Sequence, residues 1–411
     1  MRRREFLSQT GALPAAAPLL QAQAQVGSRP GIKITDIKSF LVGAGGRNWI
    51  FVKVETDQGI HGIGEAYSCG PDEATVAAIN DFKRWLVGQE PRNIEHLWAT
   101  MYNFTRFPGG SVVNAAISGI EHALWDIAGK AAGLPVYMLL GGKCREKIRV
   151  YQSAGGGDPK EVAESARRLV EKYGYTAVKM APHQGRSDAM PYNAVTRIAG
   201  QRVRAVREAL GPDVDIAVDI HAKFFEVVRA IRLAREIEPY YPFWLEEPIR
   251  PENVDAMRKL ADHVNIPLAS GECNYTKYEF RDLLAAQALD IIQPDVCVCG
   301  GLMEMKKIAA MAEANYVVVA PHNPMGPVAT TVNVHFAAST PNFLILEYHP
   351  DDVAPRKDIL KEPLMVKDGY IPVPNKPGLG IELNEEAFKH YPPKPWRRGF
   401  AYRADGSVAF I

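Results

Sequence analysis

Surplus charge, cysteine and long apolar runs are all scarce in this 411-residue chain, and each shortage closes off a class of protein. The 48 basic and 47 acidic residues are interspersed, leave a net charge of +1 and form no basic block beyond the N-terminus, which argues against a nucleic-acid partner. The five cysteines, Cys69, Cys144, Cys273, Cys297 and Cys299, are an odd number, and Cys297-Val-Cys299 is too tightly spaced for a CxxC redox or zinc motif. They read mostly as buried thiols. Beyond the N-terminus no stretch reaches the ~20 uninterrupted apolar residues that span a bilayer, so the mature protein is expected to be soluble, without a membrane partner. What is plentiful is core-forming material. A chain of this length with 47% hydrophobic and 23% charged residues can build two domains, or one large domain with a cap.

The first 24 or so residues stand apart from the rest. A basic start, MRRREFLSQT, is followed by the small and apolar GALPAAAPLL and then AQA at 22–24, the three-part plan of a secretory signal. Arg3-Arg4-Glu5-Phe6-Leu7 resembles the twin-arginine pattern, although Arg2 stands where Ser or Thr is usual and Ser8 where Lys is common. Such signals export folded proteins, often with metal bound. Residues 1–30 are therefore expected to be a signal or tail, and the destination periplasmic, or cytoplasmic if the tail is not a signal.

From Ile34 to Gly64 the pattern is strand, strand, turn, strand, with TDQG at 56–59 as the hairpin turn. Ala115, Ile117, Ile120, Ala123, Leu124 and Ile127 form a broad apolar stripe that predicts a helix from Ser111 to Lys130. Strands followed by helices make residues 31–145 an α+β capping domain. After Gly141-Gly142 short apolar strands alternate with helix-sized segments. The candidates IRVYQS, TAVKM, VDIAVDI, FWLEE, PLASGE, DIIQPD, YVVVAPH and FLILEY lie within residues 146–350. Eight in succession favour an α/β fold of the closed (β/α)8 type, a modified TIM barrel, over an open doubly wound sheet. Residues 351–411, with several prolines, are expected to pack back on the first domain.

One strand ends in AVDIHAK, at 217–223, where Asp219 and His221 are two positions apart and so expected on one face. Alone, the pair could be a helix cap and a surface imidazole. The other strands end in Lys179, Glu246 or Glu247, Glu272, Asp295, His322 and Glu347. Barrels of this kind carry their active sites on the C-terminal rim, so these side chains are expected around one mouth. Asp219, Glu246 and Glu272 on adjacent strands would repel one another unless a cation lay between them, and an oxygen-only donor set suits Mg²⁺ better than Zn²⁺. Cys273, beside Glu272, is expected to face the core instead. Asp295 can fix the tautomer of His322 and leave its other nitrogen as a general base, with His221 approaching from another side and Lys179 from the flank. Such a set suits removal of a proton beside a carboxylate and departure of a hydroxyl group, which is dehydration.

Several stretches in one order carry a resemblance: ETDQGIHGIGEA, GIEHALWDIAGKAAGLPVYMLLGG, the first glutamate of LEEP, Gly271-Glu272, QPD at 293–295, APHNPMGP at 320–327 and KPGLGIEL at 376–383. From about Ile32 onward the chain resembles the enolase superfamily, mandelate racemase subgroup, and most of all its D-galactonate dehydratase branch. The resemblance implies Asp219, Glu246 and Glu272 as Mg²⁺ ligands, with Glu247 as the fallback for Glu246. It implies a His322–Asp295 dyad that takes the α-proton, His221 as the acid that expels the 3-hydroxyl, and Glu347 near the substrate carboxylate. It also implies a homo-oligomer and a small acid-sugar substrate. The chain departs from its relatives in places. Lys179-Met180-Ala181 keeps only the first lysine of the racemases' Lys-x-Lys, Ala222-Lys223 replaces the branch's Gly-Arg, and YHPDD follows at 348–352 where the branch differs. In the family the first domain caps the mouth, which makes Arg47 of GAGGRNW and Arg106 of NFTRFPGG candidates for substrate contact, with His349; either arginine could equally be a solvated loop residue. His61, His96, His263 and His335 read as structural. The leading expectation is a Mg²⁺-dependent dehydratase that converts an aldonate such as galactonate to its 2-keto-3-deoxy acid. A racemase or cycloisomerase, and an exported non-catalytic sugar-acid binding protein, are the alternatives.

Overall fold

The computed structural model describes residues 31–183, 187–395 and 399–409, so the N-terminal signal reading lies outside the described residues. The chain opens with an antiparallel sheet of β1 (Ile34–Gly43), β2 (Asn48–Thr56) and β3 (His61–Ala66). Three long helices follow, α1 (Asp72–Leu86), α2 (Ile94–Tyr102) and α3 (Ser111–Ala132), and then a single turn at Val136–Leu139. The apolar stripe of α3 lies against β3, and the glycines of HGIGEA make this possible. A methyl group at Gly64 would stand 2.0 Å from the Gly119 carbonyl oxygen. Helix α3 runs two residues past the predicted end and stops where Gly133 turns left-handed at φ 70°.

Next come parallel strands, each followed by a helix: β4 (Lys147–Ala154), α4 (Pro159–Tyr173), β5 (Ala177–Met180), α5 (Tyr192–Leu210), β6 (Asp215–Asp219), α6 (Val227–Ile237), β7 (Trp244–Glu246) and α7 (Val254–Ala261). The series continues with β8 (Leu268–Ser270), α8 (Thr276–Ala285), β9 (Ile291–Ile292), α9 (Leu302–Ala314), β10 (Val318–Val319), α10 (Pro327–Ala338) and β11 (Leu346–Glu347). Neighbours in sequence pair from β4 to β10, β11 pairs with β4, and the barrel closes where Val319 exchanges hydrogen bonds with Asn342 and Leu344 at 2.9 and 2.8 Å. Its interior is filled by Tyr151, Ala177, Ala217, Trp244, Ala269, Ile291, Ala320 and Ile345. Four alanines leave the space that two aromatic rings occupy, Tyr151 and Trp244 meeting edge to face at 5.6 Å. The barrel is thus plugged, and the plug sets the floor of whatever lies above.

The C-terminal segment lays β12 (Tyr370–Pro372) antiparallel to the start of β4 and then crosses to the cap, where Leu379 N–H donates to Asp126 and Gly43 N–H to Tyr391 O, both at 2.8 Å. Buried carboxylates dock the cap onto the barrel. Glu65 accepts from Gly326 and Ala329 N–H at the start of α10, and Glu121 accepts from Leu302 and Met303 N–H at the start of α9. Both exploit amides that have no partner within their helix, at its positive end. His335 is structural, its Nδ1 taking the Tyr137 N–H while Nε2 donates to Leu379 O. Among the described residues no helix is long and apolar enough to cross a membrane. All five cysteines are free; Cys297 and Cys299 are buried, but Cys144 and Cys273 are exposed.

Candidate active site

Alternation along the strands builds the site. Two residues beyond the plug, on the same inward face, stand Ser153 after Tyr151, Lys179 after Ala177, Asp219 after Ala217, Glu246 after Trp244, His322 after Ala320 and Glu347 after Ile345. Ser153, Lys179, His322 and Glu347 line a cavity of about 460 Å³, with His221, Glu272 and the cap residue Arg47, whereas Asp219 and Glu246 are not among its lining residues.

Lys179 is the hub of this set, its ammonium lying 3.1 Å from Asp219, 3.0 Å from Glu246 and 3.0 Å from Glu347. Glu246 also accepts from the Trp244 indole at 2.9 Å, and Glu347 from the Asn323 N–H at 3.0 Å. Although burial opposes ionisation, Lys179 and then His322 hold the Glu347 carboxyl below its usual range. His322 Nδ1 lies 2.8 Å from Asp295 Oδ2, while Asp295 Oδ1 accepts the Cys297 N–H. Nδ1 donates to Asp295, and the ring's other nitrogen, Nε2, lies 3.5 Å from Glu272.

Asp219 and His221 do meet, but not through strand alternation. Strand β6 ends at Asp219, and His221 and Ala222 turn left-handed at φ 55° and 50°. This turn brings the His221 N–H to Asp219 Oδ1 at 2.9 Å and its Nδ1 to 3.3 Å from the same oxygen. The expectation for Cys273 is corrected outright, since this residue is exposed and not part of the core. Strand β8 ends at Ser270 and Gly271 swings the chain away at φ 138°, so alternation no longer governs where Cys273 points. Among the described residues, Glu247, Glu272 and Cys273 are the group whose potential ligand atoms all lie within 4.8 Å of one another. Asp219 and Glu246 stand side by side in strand register and lean on Lys179 instead.

A hard cation fits this donor set. Asp219, Glu246, Glu247, Glu272, Asp295 and Glu347 crowd one largely buried region, in which Glu247 Oε1 has no hydrogen-bond partner and Asp219 Oδ2 has only the ion pair to Lys179. Burial, then the Asp219 charge, pushes the Glu246 carboxyl up to about 7. Against its burial, Glu272 and Asp295 hold the His322 imidazole up at about 10. Carboxylates so poorly compensated are what a divalent ion with oxygen ligands requires.

Arg47 reaches the mouth from the β1–β2 loop, with Nη1 3.6 Å from Met325 Sδ. Together with His349 it also lines an adjoining chamber of about 430 Å³. Burial brings His349 down to about 4. Arg106 is exposed in the loop before α3 and is not among the residues lining either cavity. Sequence reasoning missed Tyr67, which lines the cavity with its ring 6.1 Å from that of His322. Its position directly after the GIGEA stretch was the one available signal.

Residues 161–387 match the enolase C-terminal domain-like family, and residues 38–141 match the mandelate racemase / muconate lactonizing enzyme N-terminal domain. The chain belongs to this family, the enolase superfamily's mandelate racemase subgroup. It is 38% identical over 386 residues to D-galactonate dehydratase of Variovorax paradoxus, covering 92% of this chain and 100% of that one. It is 37% identical over 391 residues to D-galactonate dehydratase of Pectobacterium atrosepticum, with the same coverage. Among solved structures, an enolase from Agrobacterium radiobacter bound to Na and L-malate is 38% identical, with a TM-score of 0.88 over 92% of this chain and 100% of that one.

Proposed function

We propose that the protein is an acid-sugar dehydratase that turns an aldonate into its 2-keto-3-deoxy acid. The observation that carries this reading is a pair of imidazoles just past the ends of different strands and lining one cavity, His322 backed by Asp295 and His221 backed by Asp219. In its neutral form His322 takes up, on Nε2, the proton beside the substrate carboxylate. The electrons of that C–H bond pass into the carboxylate as an enediolate and then return to form a C2–C3 double bond as the C3–O bond breaks, while His221 gives the departing oxygen a proton, releasing water. The enol left behind becomes the ketone.

Asp219, Glu246 and Glu272 would hold Mg²⁺, which when bound supplies the positive charge that a second negative charge on the substrate carboxylate needs. Lys179 holds Asp219, Glu246 and Glu347 in position. Bound to three carboxylates, with Ala181 two positions on, it is a poor second base, which counts against two-faced racemisation. Arg47 and His349, which line the adjoining chamber, would contact the far end of the substrate.

The test is a stereochemically complete aldonate panel in D₂O with Mg²⁺. An α-keto product is expected from at least one member. His322→Asn should lower both turnover and α-deuterium exchange by roughly 10²–10⁴-fold, whereas His221→Asn should block water loss and spare exchange. Exchange without water loss in the wild type would mean a racemase; binding without turnover across the panel would mean a binding protein.

A further inference from the structure

We propose that Glu247, Glu272 and Cys273 form a second cation site, one that takes a thiophilic divalent ion such as Zn²⁺. That the site shares Glu272 with the Mg²⁺ donors rests on the assignment above; the existence of the site does not. The two carboxylates and the thiol place their ligand atoms all within 4.8 Å of one another. A tetrahedral ion with bonds of about 2.0–2.3 Å separates its ligands by about 3.3–3.8 Å, so only a small inward adjustment is needed.

A second observation points to the same place. Glu247 is 4% exposed, yet its Oε1 has no hydrogen-bond partner. An unpaired buried carboxylate oxygen is costly unless something positive meets it. Cys273 supplies the other half of the argument. It is exposed, so an ion can enter from solvent and keep a water ligand. Binding forms a metal–sulfur bond and releases the thiol proton to solvent, with no change of oxidation state. One sulfur with two carboxylates favours Zn²⁺, Co²⁺ or Cd²⁺ over Mg²⁺, which avoids sulfur. An ion held here draws Glu272 away from the Mg²⁺ donors, so Zn²⁺ opposes turnover.

Co²⁺ added to the full-length protein in saturating Mg²⁺ tests the proposal. A near-ultraviolet thiolate-to-cobalt absorption band is expected, persisting in Cys144→Ser and lost in Cys273→Ser. By calorimetry, Cys273→Ser should weaken Zn²⁺ binding by roughly tenfold or more and leave Mg²⁺ affinity unchanged, which also shows that the variant is folded. No band in the wild type, or one that survives Cys273→Ser, overturns the site. A band that depends on Cys273 in a protein inert toward every aldonate keeps this proposal and removes the dehydratase reading.

Discussion

At the seam between cap and barrel, Glu65, Glu121 and Asp126 are as deeply buried as Asp219, Glu246 and Glu347 at the barrel mouth. The seam carboxylates are met by backbone amides. Glu121 alone accepts from Leu302 and Met303 N–H and from the Trp125 indole, at 2.8, 2.9 and 2.7 Å. The mouth carboxylates share one ammonium, which is all that Asp219 Oδ2 meets, at 3.1 Å, while Glu247 Oε1 is left without a hydrogen-bond partner. Titration does not separate the two sets, because burial carries Glu65, Glu121 and Glu246 alike to about 7. Hydrogen-bonding partners do. A buried acid surrounded by donors is part of the scaffold, whereas a cluster short of donors is waiting for a cation.

The sharpest way to break that contrast is to remove one acid from the seam. Glu121→Ala strands three buried N–H donors and should lower unfolding stability by roughly 3–5 kcal/mol in urea, equally with and without Mg²⁺. An unchanged midpoint would mean that the seam carboxylates are not structural. The next effect belongs to the mouth. Mg²⁺ at about 100 times its dissociation constant should stabilise the wild type by about 2.7 kcal/mol, read as a rise in Tm, and Glu272→Gln should abolish the rise. A rise that survives this substitution places the ion elsewhere.

The smallest effect tests the seam by pH. Burial brings His335 down from 6.5 to about 4. Between those values the unfolded chain binds more protons, so stability present above pH 6.5 is lost as pH falls towards 4. Glu65 and Glu121, raised from 4.5 to about 7, work in the opposite direction, because the fold holds their protons and their contribution falls as pH rises. Wild-type profiles therefore mix the two trends, and His335→Gln separates them. Between pH 7 and pH 5 the wild type should lose about 2 kcal/mol more than this variant. Parallel urea profiles would show that His335 is not held neutral.

Much of the site was legible because alternation is a local rule. It connects plug residue to rim residue on each strand, and so put Lys179, His322 and Glu347 on the inner face without knowledge of the fold. The rule failed where strands stopped. His221 reaches Asp219 through a left-handed turn, and Cys273 lies past the bend at Gly271, outside the reach of any two-residue period. Nor could a period choose between Glu246, tied to Lys179 and Trp244, and Glu247, which faces Glu272 and Cys273.

The sequence by itself determined the order of strands and helices and the chemical type of the residue ending each strand, since both follow from near-neighbour spacing along the chain. Only the tertiary structure decided that one ammonium would serve three carboxylates from three strands, that Arg47 and Tyr67 of the cap would complete the mouth, and that Glu121 would meet amides 181 and 182 residues away. Such encounters depend on how distant segments pack, and no local pattern in either segment records them.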